Sequence, residues 1–206
     1  MILNVYNRIK YVEELTAHLD MNINLKKTCV YKVMNYKGEI IDNAVIVTLE
    51  KYIETLTNSE IKLMFNSMYN VKHRIKNYKC VIDKITRFNR NNKLGAFPLN
   101  KVLNDILGYR LVIDTSFSIK DLMLNIIAIT EQLPDNIKNK ITVLDSSKND
   151  YKAIHLYFKL NNRNYPVELQ IWRICDKEKN KDSHFEHKQD YLNWHIRDTE
   201  LISLYR

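Results

Sequence analysis

The chain has little of what breaks or staples a fold. Its 206 residues include only three glycines, three prolines and three cysteines. So few glycines and prolines exclude a long structureless linker and a low-complexity chain. Cys29, Cys80 and Cys175 stand alone, without the spacing of a metal site, which excludes a disulfide framework and fits a reducing compartment. No stretch approaches the roughly 20 consecutive apolar residues of a membrane span. The N-terminal MILNVYNRIKYVEELTAHL carries charges at helical spacing and lacks the apolar core of a signal peptide. The expectation is a cytoplasmic protein with no membrane partner. No internal repeat is visible, and 45% hydrophobic residues suffice for a sizeable core. The net charge of +8, from 32 Lys and Arg against 24 Asp and Glu, favours an anionic partner such as nucleotide phosphates, nucleic acid or an acidic protein. The plainer reading is an ordinary basic surface.

What is present centres on residues 150–172, DYKAIHLYFKLNNRNYPVELQIW. The period of two predicts two strands joined by the polar turn 161–164. Ile154, Leu156 and Phe158 share one face of the first strand, and Tyr151, Ala153, His155 and Tyr157 the other. On the second strand Val167, Leu169 and Ile171 oppose Glu168, Gln170 and Trp172. If both apolar faces meet one core, Tyr151, His155, Glu168 and Gln170 emerge on one side of a sheet. That surface is either a site or the solvated face of an antiparallel pair.

The remaining elements follow in order. Residues 4–19 read as an amphipathic helix, with Val5, Ile9, Val12, Leu15 and Leu19 on one face. Residues 28–36 and 40–47 read as a small hairpin. From Leu49 to about Asn92 the pattern is helical in two or three pieces, with stripes at Ile61, Phe65, Met68, Val71 and at Ile75, Tyr78, Ile82, Ile85, Phe88. Lys76, Cys80 and Lys84 then line one helical face after Arg74, either to grip a triphosphate or as a solvated cationic face. Asp105 precedes a strand that contains Arg110. There it is either a turn cap or an oxygen ligand for a divalent cation. A helix over 117–133, a strand over 141–145 and a charged helix over 174–197 complete the pattern. His184 and His187 in the last of these lack a further ligand set for zinc. The domain division expected is an N-terminal region over 1–60 and a second unit over 61–206, both parts of one compact body.

These stretches together resemble the synthetase domain of the RelA/SpoT family in its short form, the small alarmone synthetases. That family has an arginine, a lysine two residues on, a serine four beyond and a lysine four beyond again. Arg74, Lys76, Cys80 and Lys84 keep the spacing, with cysteine for serine. Its aspartate, glycine and arginine run appears as Asp105, Gly108 and Arg110. Its Gly-Tyr-x-Ser-Leu-His motif appears as residues 150–155, its Glu-Ile-Gln-Ile-Arg motif as residues 168–172, and a later Glu-His pair with a tyrosine as Glu186-His187 and Tyr191. The resemblance implies an α/β (α+β) fold, a mixed sheet flanked by helices and related to nucleotidyltransferases. It also implies an ATP-dependent pyrophosphokinase, which moves the β,γ-pyrophosphate of ATP to a ribose 3′-hydroxyl. Arg74 and Arg110 would sandwich the adenine, with Lys76, Lys84 and the Cys80 position completing the ATP site. Asp105 and Glu168 would hold Mg²⁺ and act in catalysis with Gln170. Tyr151 would stack on the acceptor base, with His155 and Glu186 nearby.

The departures from the family pattern fall on the acceptor side. The loop 143–149 is short and carries one cation, Lys148; Asp150 replaces a glycine and Trp172 an arginine. The hydrolase, regulatory and C-terminal helical segments of longer members have no counterpart before Arg206. That pattern resembles the toxin branch, some of whose members pyrophosphorylate the 3′-terminal adenosine of tRNA and are neutralised by an antitoxin protein. Lys26, Lys27 and Arg163 are candidate tRNA contacts. The alternatives are a (p)ppGpp synthetase with GDP or GTP as acceptor, and an inactive member that binds nucleotide or RNA.

Overall fold

Residues 154–158 and 167–173 form the predicted hairpin, and it lies inside a five-stranded sheet. The structure, a computed structural model, describes residues 1–19, 22–35, 37–59, 71–91 and 93–183. Its strands are β1 (Val71–Ile75), β2 (Leu107–Ile113), β3 (Ile141–Asp145), β4 (Ile154–Phe158) and β5 (Val167–Arg173). Its helices are α1 (Ile2–Leu15), α2 (Asn43–Thr57), α3 (Tyr78–Asn91), α4 (Leu99–Val102), α5 (Ile119–Glu131) and α6 (Asp135–Lys138). The sheet order is β1-β2-β5-β4-β3, with β2 parallel to β5 and every other pair antiparallel. The parallel pair needs a crossover, which α5 and α6 provide before β3 and β4 return as a meander.

Register gives the sheet two unlike faces. Leu107, Tyr109 and Leu111 of β2 pair with Val167, Leu169 and Ile171 of β5, which pair in turn with Phe158, Leu156 and Ile154 of β4. All nine are buried and join one apolar cluster with residues of α1, α2, α3 and α5. On this side Tyr52 of α2 stacks on Tyr165 at 4.7 Å between ring centroids. Local signals set the helix starts: Asp42 accepts a hydrogen bond from the Val45 N–H, and Ser118 accepts one from the Asp121 N–H.

The structure corrects two readings of the N-terminal half. Residues 71–75 are a strand, where helical spacing runs through Val71 and Ile75 by coincidence; pairing with β2 overrides it. The helix starts only after Asn77, whose side chain accepts the Lys79 N–H at 2.9 Å, so Lys76 lies in the β1–α3 turn and shares no helical face with Cys80 and Lys84. The proposed hairpin over 28–47 reduces to a short 3₁₀ turn at Val30–Lys32 and a single bridge, Met34 to Ile40, around Gly38. Residues 43–47 enter α2 because Asp42 caps it. Residues 60–70 of the expected helical stretch lie outside the described residues.

Candidate active site

The second face of the sheet collects the polar residues. Pairing aligns Arg74 with Gly108 and Lys72 with Arg110, then Gly108 with Glu168 and Arg110 with Gln170, then Gln170 with His155 and Glu168 with Tyr157. Side chains at paired positions share a face, so four strands contribute to one surface. It is not a solvated face: Glu168, Gln170 and His155 are 4%, 6% and 9% exposed. A cavity of about 280 Å³ opens there, lined by Lys72, Arg74, Arg110, Gly108, Glu168 and Gln170, among others. A side chain at Gly108 would begin 3.7 Å from Glu168 Oε2, in van der Waals contact with that carboxylate.

Charge dominates one side of the site. Asp105, in the turn before β2, accepts Lys76 Nζ at 2.7 Å on Oδ2 and Lys84 Nζ at 2.9 Å on Oδ1. Arg74 Nη2 stands 3.9 Å away, and Lys84 also donates to Asn104 Oδ1 at 3.2 Å. Burial pushes the Asp105 carboxyl up, but Lys84 and Lys76 together outweigh it and hold the carboxyl at about 2. Burial also brings the Lys84 ammonium below its ordinary value, against the pull of Asp105.

Hydrogen bonds and rings dominate the other side. Glu168 Oε1 accepts Tyr157 Oη at 3.0 Å and meets His155 Nδ1 at 2.9 Å, while Oε2 accepts Gln170 Nε2 at 2.7 Å. Burial pushes the Glu168 carboxyl up, and the His155 and Gln170 bonds bring it below the ordinary carboxylate value. His155 Nε2 lies 2.8 Å from Tyr151 Oη, which accepts Trp172 Nε1–H at 3.2 Å. With a proton on Nδ1 of His155, the donors run in order from Trp172 through Tyr151 and His155 to Glu168. Arg110 Cζ sits 3.6 Å from the Trp172 ring centroid, and Nε and Nη2 both donate to Gln170 Oε1, at 3.0 and 2.8 Å. Asn180 is fully buried and holds both backbone groups of Lys152 at 2.8 Å, fixing the segment that carries Tyr151.

The model of a region found in RelA/SpoT proteins matches residues 73–195. The chain belongs to the RelA/SpoT family. Its mixed sheet and flanking helices are the fold expected of a RelA/SpoT synthetase domain, and as a member the chain is an ATP-dependent pyrophosphokinase of the RelA/SpoT type. No curated protein matches it. Among solved structures, small alarmone synthetase 1 from Bacillus subtilis, bound to its product pppGpp, is 20% identical over 73% of this chain and 75% of its own, with a TM-score of 0.36. Small alarmone synthetase 2 from the same organism is 18% identical over 80% of this chain and 95% of its own, with a TM-score of 0.34. A GTP pyrophosphokinase family protein from Streptococcus pneumoniae is 19% identical over 72% of this chain and 70% of its own, with a TM-score of 0.39.

Most residues singled out from this family's motifs converge. Arg74, Lys76, Lys84 and Asp105 meet through Asp105, and Arg110, Gln170, Glu168, His155 and Tyr151 form one bonded chain. Cys80 is exposed on α3 and joins none of these bonds. Glu186, with His184, His187 and Tyr191, lies outside the described residues. Sequence reasoning did not single out Asn104, Tyr157 or Asn180; of these, only Tyr157 carried a signal, its place in the alternation beside His155. Asp105 and Glu168 offer the donor set Mg²⁺ prefers, hard carboxylate oxygens with lone pairs beyond those their protein partners use. Among the described residues no group of three His, Cys, Asp or Glu side chains gathers as a metal site. An ion here would therefore draw its other ligands from phosphates and water. Among the described residues no helix is long and apolar enough to cross a membrane.

Proposed function

We propose that this site transfers the β,γ-pyrophosphate of ATP to the 3′-hydroxyl of the terminal adenosine of tRNA, so that the protein acts as a translation-blocking toxin. The observation that carries the choice of acceptor is the turn before Tyr151. Lys148 and Tyr151 bond to each other's backbone at 2.9 and 3.0 Å, which closes residues 146–150 into a tight polar loop with one cation. Little in that loop can hold the phosphates of a mononucleotide. Cations are gathered elsewhere: Leu25 N–H donates to Asn162 O at 2.8 Å, which brings exposed Lys26 and Lys27 beside the turn that carries exposed Arg163. A tRNA backbone extends past its terminal base and brings many phosphates to such a cluster, and its binding there is salt-dependent. A toxin of this kind is expected to be held by an antitoxin protein.

In this reading Arg74 and Arg110 flank the adenine, and Lys76 and Lys84 exchange part of their hold on Asp105 for phosphate oxygens. Asp105 and Glu168 would hold Mg²⁺, which neutralises phosphate charge when bound. Tyr151 carries the acceptor base. The 3′-oxygen bonds to the β-phosphorus, the bond from that phosphorus to the α-bridging oxygen breaks, and AMP leaves. The hydroxyl proton passes to Glu168 Oε2, beside Gly108. Catalysis is then mainly placement and charge.

The test supplies ATP labelled on its terminal phosphate and Mg²⁺ with deacylated tRNA in one arm and GDP or GTP in the other. Label on tRNA, weakened by added salt, is the expected result. Label on guanine nucleotides instead makes the protein an alarmone synthetase and overturns the acceptor assignment.

A further inference from the structure

Trp172 touches both halves of the site, and nothing in the proposed chemistry uses it. It is 1% exposed, on β5, at the position where the family pattern has an arginine. The face of its indole carries the Arg110 guanidinium, with Cζ 3.6 Å from the ring centroid. Its Nε1–H donates to Tyr151 Oη at 3.2 Å, with the two rings edge to face at 84° and 6.0 Å between centroids. Arg110 has a second anchor in Gln170 Oε1, and Tyr151 a second in His155 Nε2. Each of these side chains is thus held from at least two directions, and Trp172 is one of them in both cases.

We propose that Trp172 is a positioning residue that sets the donor-side Arg110 through its ring face and the acceptor-side Tyr151 through its N–H, so that one indole fixes the spacing between the two substrates. The inference rests on the assignment of Arg110 to ATP and Tyr151 to the acceptor. A guanidinium held flat on an indole presents its opposite face to a purine, and an arginine in place of Trp172 would repel it. A phenol whose oxygen accepts the indole N–H has its ring plane fixed as well, which a stacking platform needs. A buried tryptophan that merely filled space would also require an N–H partner, but that partner need not be the acceptor platform.

The two contacts separate by substitution. The full chain and its Trp172→Phe, Trp172→Leu, Tyr151→Phe and Trp172→Phe/Tyr151→Phe variants would be compared for direct calorimetric ATP binding and for acceptor KM. The acceptor would be whichever of deacylated tRNA and GDP the wild type labels. Phenylalanine keeps a ring under Arg110 and removes the N–H, so ATP affinity stays within about twofold while acceptor KM rises about three- to tenfold, the loss of one hydrogen bond. Leucine removes the ring as well and weakens ATP about tenfold. The double variant matches Tyr151→Phe alone, because both changes delete the same bond. An unchanged acceptor KM in Trp172→Phe, an equal loss on both substrates, or additive effects in the double variant overturns the proposal. If Trp172→Leu does not fold, the phenylalanine variants still decide. If the wild type labels neither acceptor, the proposed function fails, and ATP binding by Trp172→Phe against Trp172→Leu still decides whether the ring sets Arg110.

Discussion

The two halves of the site are built by different physics. Around Asp105, Lys76 and Lys84 converge within 3 Å and Arg74 within 4 Å on one partly buried carboxylate. Around Glu168 the partners are directional hydrogen-bond donors and rings, linked in a chain from Trp172 to Gln170. The first half is a cluster of like charges kept together by one counter-charge, ready to be shared with a polyanion. The second is a set of directional bonds that fixes the planes of Tyr151 and Arg110. Neutralising charge tolerates some looseness; orienting a hydroxyl toward a phosphorus does not. Each half should therefore fail in its own way.

The largest loss is expected at the carboxylate in the centre of each half. Asp105→Asn or Glu168→Gln removes one of two carboxylates proposed to hold Mg²⁺, and turnover should fall at least about a thousandfold, the upper range for a single electrostatic group. Labelled-pyrophosphate transfer, with circular dichroism to verify folding, checks this. Activity near wild type in either folded variant would sink the metal assignment. Next in size is Tyr151→Ala, which removes the proposed stacking platform and should weaken the acceptor about 10- to 100-fold, the value of one base stacked on an aromatic ring. ATP binding should hardly move. A comparable loss of ATP affinity would mean that the halves are not separate in function.

Acid should reach the carboxylates of both halves, and the Asp105 side most. Asp105 titrates at about 2 against an ordinary 3.8, so its ion pairs stabilise the fold fully above about pH 4 and are lost as pH falls through 2. That difference corresponds to about 2 kcal/mol. Glu168 is shifted in the same direction and adds to the loss. On the aromatic side, burial raises the Tyr151 phenol to about 12, so it stays neutral from acid through neutral pH and contributes no such dependence. Unfolding by denaturant at pH 7 and pH 3 should show the drop. Asp105→Asn should flatten it, while starting lower because two ammonium groups lose their partner. An acid profile identical to the wild type's in that variant would assign the loss elsewhere.

This contrast also explains how much could be read from the chain alone. Family order marked Asp105, Lys84 and Arg110 as parts of one region, and the structure joins Lys84 to Asp105 and bonds Arg110 to Gln170. The β4–β5 hairpin was equally legible: its strict alternation predicted which residues share a face, and the register agrees. Lys76 was placed on a helix because Ile75 and Tyr78 continue an apolar stripe. The decisive fact, the pairing of β1 with β2, lies more than 30 residues away in sequence, as Val71 opposite Leu111 shows. Asn180 gave no local sign of its role, since its partner is the backbone of Lys152 and a backbone partner leaves no mark in composition. Trp172 was visible in the alternation beside Gln170 and as a departure from the family pattern, but its meaning required the positions of both Arg110 and Tyr151.

Tyr157 supplies the smallest test, at the seam between the halves. It sits on β4 opposite Glu168 and donates to Oε1 at 3.0 Å, with His155 Nδ1 3.2 Å from the same hydroxyl. Burial, reinforced by the Glu168 charge, raises its own phenol well above the ordinary value, which keeps it a donor throughout the working pH range. Tyr157→Phe removes that donor and leaves Glu168 with His155 and Gln170. One hydrogen bond at this site is worth about 1 kcal/mol, or roughly fivefold. Because the bond orients the carboxylate proposed to receive the hydroxyl proton, the loss should fall on kcat and leave the KM for ATP and for acceptor unchanged. A rise in acceptor KM with kcat intact would instead place Tyr157 with Tyr151 on the platform, and the proton route through Glu168 would lose its support on that strand.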